Sequence, residues 1–416
     1  MSEYHRLAFW TTALNLPGFR VVHHRQDTPS DPIRFTVVPD AKVAACPKCG
    51  HACDTVHRRL DSNPIKDLPL GDRAVELIVH TPQFECERCQ SYFTLTYPAI
   101  APGAHATQRF LAHVARLIGF SDIANVAAMY DLSVSTLTRW YYDYIERQQQ
   151  QPAPATVKPI KSLGIDELSQ KKKHRQFVCV IIDNTNKRVL DILEYRDKDK
   201  LVEYLRKQKE SGLLAGVEEV TCDMWEGYAN AALEVFGEGH RVTIDRFHVM
   251  KNFQEQLTGA RREIQRSLSK EEAKELKGTR WLWVKNWENL TVEEQKELEE
   301  LKKRFPLLKQ LAEQRESLRS IFEDRKITTA AEGKKQFEAW MEKGRKLGLK
   351  GLDAFCKTLT NWLDKIANYF VTRSSNGRTE GFNHALRSIL WRAFGMTNFS
   401  HFRLRALHRF GRPANT

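Results

Sequence analysis

The 416-residue chain reads as a multidomain α/β protein. Three observations lead there. Two CxxC pairs near the N-terminus frame strand-like sequence, and a proline-rich break follows at 151–159. Beyond the break, short apolar segments alternate with turn and helix signals, and several of them end in an aspartate. A composition of 41% hydrophobic and 28% charged residues is that of a globular chain, and the length allows two to four domains. With no run of about 18 apolar residues and no basic-then-apolar leader, a soluble, cytoplasmic protein without a membrane partner is expected. The net charge of +13 points to nucleic acid as the partner.

After an N-terminal segment (1–38), residues 39–100 carry Cys46-Pro-Lys-Cys49 and Cys86-Glu-Arg-Cys89. Two such knuckles can set four thiolates tetrahedrally around one Zn²⁺, and four thiolates leave no open coordination position, so the site is structural. A reducing cytoplasm disfavours disulfides. His51, Cys53 and His57 are near enough to replace one ligand. Residues 101–150 predict three helices, over 106–119, 121–130 and from Ser133 to about 150. Ile123, Val126, Ala127, Tyr130, Leu132 and Leu137 supply the apolar positions, and Ser133 is a good N-cap. That leaves Ser135, Thr136, Thr138 and Arg139 at the start of the third helix, the pattern of a helix-turn-helix whose second helix enters the major groove of double-stranded DNA. An ordinary helical hairpin is the structural alternative; the preceding zinc knuckle and the basic chain favour DNA.

The stretch 151–159 cannot continue a helix and reads as an extended linker. Residues 160–250 then predict strands at 160–165, 175–182 and 188–193, with a hairpin turn at 183–186, followed by a helix over 198–210 and strands at 217–222 and 241–244. Three of these strands end at Asp166, Asp223 and Asp245, where an open sheet projects side chains into a shared cleft. A lone aspartate there is usually a turn or cap residue. Three in succession ask for a chemical reason. Carboxylates about 4 Å apart repel by roughly 4 kcal/mol at an effective dielectric near 20, so converging acids need a cation. Carboxylate oxygens with open positions suit Mg²⁺ or Mn²⁺ working on phosphates. Two such ions can activate a water or 3′-hydroxyl and stabilise the leaving oxygen. No GxxxxGK[ST] phosphate loop occurs.

Residues 251–368 read as helices throughout. Thr291 to Glu294 form a capping box, Leu298, Leu301, Phe305, Leu308, Leu311 and Leu318 make an apolar stripe, and Pro306 should kink or split it. The final segment, 369–416, holds eight arginines and one carboxylate, Glu380, a net +7. A surface meant only for a polyanion has no electrostatic use for a single acid. Asn376 and Gly377 read as a turn and cap before it, and if Glu380 opens a helix, Asn383, His384 and Arg387 share its face. Arg378, Arg387 and Arg392 are then placed to hold phosphates.

Asp166 in GIDELS, Asp223 in TCDMWEGY, Asp245-Arg-Phe-His248 and Glu380 in SNGRTEGFNH, taken in this order, resemble the ISL3 family of bacterial insertion-sequence transposases. The resemblance spans nearly the whole chain. It implies a DDE enzyme with an RNase H-like core interrupted by an all-helical insertion, and Asp166, Asp223 and Glu380 as its metal-binding triad. Asp245 to His248 matches the (C/D)xxH motif of related transposases, so His248 would order DNA or a phosphate near the site; a capping or core histidine is the alternative. Of the clustered Trp281, Trp283 and Trp287, Trp283 is assigned to stacking on an unpaired base, against the alternative of a core residue. The expectation is a nucleoid-associated DNA transposase that binds terminal inverted repeats, cleaves and joins DNA, and works as a homodimer or larger synaptic complex. A zinc and helix-turn-helix transcriptional regulator without catalysis is the other reading; it leaves the acids unexplained.

Overall fold

A computed structural model describes residues 3–150, 158–171, 176–374, 377–393 and 396–412. The protein is mixed α/β, and its contacts divide it into two units, Met1–Pro152 with Trp391–Arg409 and Ala153–Leu390 with Phe410–Thr416. Most of the expected linker, 151–157, lies outside the described residues.

In the first unit, α1 (Glu3–Leu14), β1 (Phe19–Arg25) and β2 (Ile33–Pro39) lead into the short ribbon β3 (Ala44–Ala45) and β4 (Ala52–Cys53), then β5 (Val56–Asp61), β6 (Ile65–Leu70), β7 (Arg73–Cys86) and β8 (Ser91–Thr94). The long β7 is the spine: β2 pairs with it in parallel, and β5, β6 and β8 pair with it antiparallel. Its period-two alternation buries Val75, Leu77 and Val79 against Phe35 and Val37 of β2. Residues 1–38, set apart in the sequence reading, therefore complete this sheet, because β1 and β2 alone could not cover their apolar face.

Three helices follow, α2 (Gln108–Phe120), α3 (Ile123–Met129) and α4 (Val134–Gln149). Their N-caps Thr107, Asp122 and Ser133 each accept a backbone N–H from three residues on. The buried Asp67 of β6 ties helices to sheet: it accepts from Thr107 Oγ1 at 2.6 Å and from Arg109 through two nitrogens.

The second unit is built on a five-stranded sheet of β9 (Ser162–Lys171), β10 (Gln176–Asp183), β11 (Arg188–Leu193), β12 (Glu219–Cys222) and β13 (Arg241–Ile244) in the order β11-β10-β9-β12-β13. β10 pairs antiparallel with both β11 and β9, whereas β9, β12 and β13 run parallel. Crossovers carry α5 (Lys198–Glu210) and α6 (Glu226–Phe236). The long α7 (Arg246–Ser267) starts directly after β13, and α8 (Lys270–Glu275), α9 (Arg280–Val284), α10 (Val292–Arg304), α11 (Pro306–Glu323), α12 (Ala330–Arg345), α13 (Lys350–Ala367) and α14 (Tyr369–Thr372) follow. Thr291 and Glu294 form the expected capping box, and Pro306 sits at the first turn of α11, where a missing N–H is harmless. These helices do not stand apart from the sheet. One continuous core runs from Ile160 to Phe370, with Phe253 of α7 packed on Trp340 and Phe355. A β-carbon added at Gly351 would lie 2.7 Å from the Gln256 carbonyl, so α13 and α7 meet backbone to backbone.

Last come α15 (Gly377–Arg392) and α16 (Phe399–Phe410). Read from the sequence as a basic tail of the core, 391–409 instead packs with α2–α4: His401 stacks on Tyr142 with centroids 3.6 Å apart, and Leu404 joins the helical core. The arginine-rich composition conceals an amphipathic helix that buries Phe402, Arg405 and Ala406.

Glu219 fixes the strand that leads toward the site. Only 3% exposed, it accepts from Thr243 Oγ1, Thr372 Oγ1 and Ser374 Oγ at 2.6–2.8 Å. Replacing it by alanine strands three hydroxyls and is expected to cost about 2–3 kcal/mol in urea unfolding. Glu218→Ala, which removes only an exposed pair with Lys161, should leave the midpoint nearly unchanged.

Candidate active site and metal-ligand cluster

The register of the parallel strands sets the site. Ile165 of β9 stands opposite Cys222 of β12, and Cys222 opposite Ile244 of β13. The next residue in each is Asp166, Asp223 or Asp245, so the acids form a row with neighbouring strands about 4.8 Å apart. Asp223 and Asp245 follow the ends of their strands. Asp166 does not, because β9 loses β12 as a partner after Ile165 but stays hydrogen-bonded to β10 as far as Lys171. All three are buried, at 5, 7 and 2% exposure.

Burial pushes Asp166 up to about 7; the Glu167 amide, donating to Oδ1 at 2.8 Å, opposes this, and Asp223, Glu167 and Asp245 add to it. Burial likewise pushes Asp223 up to about 6, against the pull of Arg196, Lys251 and the Trp225 amide. Asp223 Oδ1 is buried with no hydrogen-bond partner among the described residues.

Glu380 lies half-buried in the first turn of α15. One turn later the buried Asn383 donates from Nδ2 to Asp166 Oδ2 at 2.8 Å, which docks this helix on the row of aspartates. Glu380 and Asp245 line one cleft of about 520 Å³, together with Arg246, Phe247 and Gly377. His248, in the first turn of α7, places Nε2 3.7 Å from Asp166 Oδ1, too far for a hydrogen bond. Burial and Lys251 lower its pKa, partly offset by Glu167 and Glu380, so the ring facing the acids is neutral near pH 7. Asp166, Asp223, Asp245, His248 and Glu380 are thus gathered into one region. Without a cation, burial makes Asp166 and Asp223 hold protons more readily than free carboxylates; a divalent ion would compete with those protons.

Two groups here escaped the sequence reading. Arg196, just ahead of α5, meets Glu167 Oε2 at 2.7 Å and stacks 4.4 Å over the Trp225 ring, bracing the backbone on both sides of the acids. Nothing around Arg196 in the sequence marks it; only the tryptophan two residues after Asp223 was a signal. The buried Asn383 was placed on the face of Glu380, but its partner was not foreseen.

Cys46, Cys49, Cys86 and Cys89 come together with all sulfurs within 4.8 Å of one another, and the pairs 46–89, 49–86 and 49–89 lie at 3.5, 3.6 and 3.8 Å. A tetrahedron of sulfurs about 2.3 Å from a central ion has edges of about 3.8 Å, so the cluster can hold a metal ion. Burial raises the Cys46 thiol, but the Lys48 and Cys49 amides and neighbouring thiols bring it down to about 6. Cys49 is pulled down by the His51 amide, yet burial and the surrounding thiols push it up to about 12. Crowded sulfurs cannot all ionise without a cation. Cys53 bonds the His51 carbonyl at 3.4 Å and is not part of the four-residue cluster.

Ser135 and Arg139 are exposed on α4; Thr136 and Thr138 are half-buried, and Thr138 Oγ1 is spent on the Val134 carbonyl at 2.7 Å. Arg139 reaches the Gly103 carbonyl at 3.2 Å. Arg387 is half-buried and Arg392 exposed; the Arg378 side chain and the turn residues Ser375 and Asn376 lie outside the described residues. Trp283 corrects its assignment to DNA: it is 4% exposed and its Nε1 donates to Thr279 Oγ1 at 3.3 Å, because its face of α9 closes the core. Trp281 and Trp287 are the exposed members of that cluster, at 60 and 41%.

A family model described as a transposase, of the ISL3 group, matches residues 163–406, which hold Asp166, Asp223, Asp245 and Glu380. The chain belongs to the ISL3 transposase family. It is 24% identical over 398 residues, 94% of this chain and 95% of the relative, to the transposase for insertion sequence element IS1001 of Bordetella parapertussis. Membership makes DNA the substrate class, and no helix among the described residues is long and apolar enough to cross a membrane.

A stability consequence follows from the buried acids. The folded-state pKa of Asp166 lies above its unfolded value of about 3.9, so the folded chain holds more protons than the unfolded chain between about pH 4 and 7. Stability without divalent ions therefore falls as pH rises through that window. Asp166→Asn, neutral throughout, should melt a few degrees above wild type at pH 8 in buffer without added divalent cations. Equal melting, or a lower value for the variant, would show that the acid's burial is not costly.

Proposed function

We propose that this chain is a DDE-type transposase that binds the terminal inverted repeats of its element, cleaves DNA and carries out strand transfer. One observation supports it above the others: Asp166 and Asp223 are buried side by side at adjacent strands of a basic chain, and the helix that carries Glu380 is bonded to Asp166 through Asn383. We attach an RNase H-like reading to the five-stranded sheet and a helix-turn-helix reading to α3 and α4.

Asp166, Asp223 and Glu380 would hold Mg²⁺ or Mn²⁺; the unpartnered Oδ1 of Asp223 and the raised pKa values of Asp166 and Asp223 fit that role. When bound, such ions supply Lewis acidity at a phosphodiester oxygen and lower the pKa of the attacking hydroxyl. In the first step a water oxygen bonds to phosphorus and the P–O3′ bond breaks, freeing a 3′-hydroxyl at the element end. In the second, that hydroxyl bonds to a target phosphorus and a target P–O3′ bond breaks. His248, with Nε2 3.7 Å from Asp166 Oδ1, would orient the attacking hydroxyl or a phosphate oxygen, and Asp245 would support the row. Arg378, Arg387 and Arg392 are assigned to phosphate binding. The four-cysteine cluster is assigned to structural Zn²⁺. Joining two ends requires them to be held together, which implies a dimer or larger synaptic assembly.

The deciding experiment is Mg²⁺-dependent cleavage and strand transfer on DNA carrying the element's ends, wild type against Glu380→Gln. The variant should lose both steps and keep end binding; end binding with no reaction in either protein would instead support a DNA-binding regulator. Arg139→Ala should weaken binding to the ends by about 1–3 kcal/mol while leaving salt-sensitive affinity for unrelated DNA. Metal analysis should find one zinc per chain, lost in Cys46→Ser or Cys86→Ser with unfolding of that region.

A further inference from the structure

We infer that Asn383 is a positioning residue for the metal-binding carboxylate of Asp166, so that one turn of α15 both supplies the third acid and orients the first. The inference rests on the reading of Asp166, Asp223 and Glu380 as a metal site. Asn383 is only 3% exposed, and its Nδ2 donates to Asp166 Oδ2 at 2.8 Å and to the Glu167 carbonyl at 3.4 Å. With Asp166 ionised both partners are acceptors, which fixes the orientation of the amide: the opposite flip would set oxygen against oxygen. Asn383 Oδ1 is then left buried with no hydrogen-bond partner among the described residues. A carboxamide buried only to fill space would not leave its oxygen in that state.

The geometry restricts Asp166 from two sides. Glu167 N–H donates to Oδ1 at 2.8 Å and Asn383 to Oδ2. Each carboxylate oxygen has two acceptor positions, so one on each stays available, with the plane of the group set. Residues three apart on a helix share a face, so Glu380 faces the same region as Asn383. Asp166 is therefore aimed only when α15 is docked, and docking brings Glu380 with it. Hydrogen bonds to ligating carboxylates are the usual means by which proteins hold such groups for a metal, and their loss typically weakens metal affinity about 10–100-fold.

The test is a Mn²⁺ titration of the zinc-loaded full-length chain, followed by electron paramagnetic resonance, on wild type, Asn383→Ala, Asn383→Leu and Asp223→Ala. Alanine leaves a cavity and leucine fills it, so the pair separates loss of the amide from loss of packing. Both Asn383 variants are expected to bind Mn²⁺ about 10–100-fold more weakly, and cleavage should return toward the wild-type maximum when Mn²⁺ is raised by the same factor. Glu380→Gln should not be rescued in this way. Wild-type Mn²⁺ affinity in both Asn383 variants, with Asp223→Ala impaired, would overturn the inference and leave the metal site standing. No Mn²⁺ binding by wild type, or unimpaired binding by Asp223→Ala, would overturn the metal site itself and the inference with it. Failure of both Asn383 variants to fold, with Mn²⁺ unable to restore them, would assign Asn383 to structure alone.

Discussion

Holding carboxylates inside a hydrophobic sheet is the constraint on which the second unit is organised. The row Asp166, Asp223 and Asp245 is flanked by buried Ile165, Cys222 and Ile244, whose packing sets the register; burial makes Asp166 and Asp223 hold protons. An isolated ionised carboxylate would not be tolerated there. The surroundings answer with partial compensation: a backbone amide, Asn383, Arg196 near Glu167, and the Lys251 charge near Asp223. Asp223 Oδ1 is left without a hydrogen-bond partner among the described residues. A fully compensated cluster would be stable and chemically inert.

The helices between β13 and α15 make sense in the same terms. They share one core with the sheet, so they set the position of α7 and α15, the two elements that bring His248 and Glu380 to the aspartates. The close backbone approach of α13 to α7 at Gly351 and the anchoring of Thr372 and Ser374 on Glu219 work toward that end. In the first unit the corresponding device is Asp67, whose buried carboxylate joins the sheet that carries the cysteine cluster to the helices that carry Ser135 and Arg139. The same α2–α4 core also takes in 391–409.

Much of the local structure was legible in the sequence because it depends on neighbours along the chain. The N-cap Ser133, the capping box at Thr291, the break at Pro306 and the hairpin after Asp183 are set by hydrogen bonds spanning a few residues. The paired cysteines announced their cluster through spacing alone, since two knuckles constrain four sulfurs in advance. The acids stood out because Glu380 was an electrostatic anomaly and the aspartates followed apolar runs.

What depended on distant partners was not legible. That β9 runs on past Asp166, that β1 and β2 belong to the sheet of β7, and that 391–409 leaves the core for α2–α4 are decided by pairing and burial between remote segments. Trp283 looks the same in sequence as its exposed neighbours Trp281 and Trp287, and only packing separates them. Arg196 and the Asn383–Asp166 bond carry no mark in sequence, because a side chain's role as a brace is defined by what the fold places within 3 Å of it. Sequence determined which residue types could do chemistry; tertiary structure decided which of them meet, since burial raises the energy of a lone charge and selects the partners that can share it.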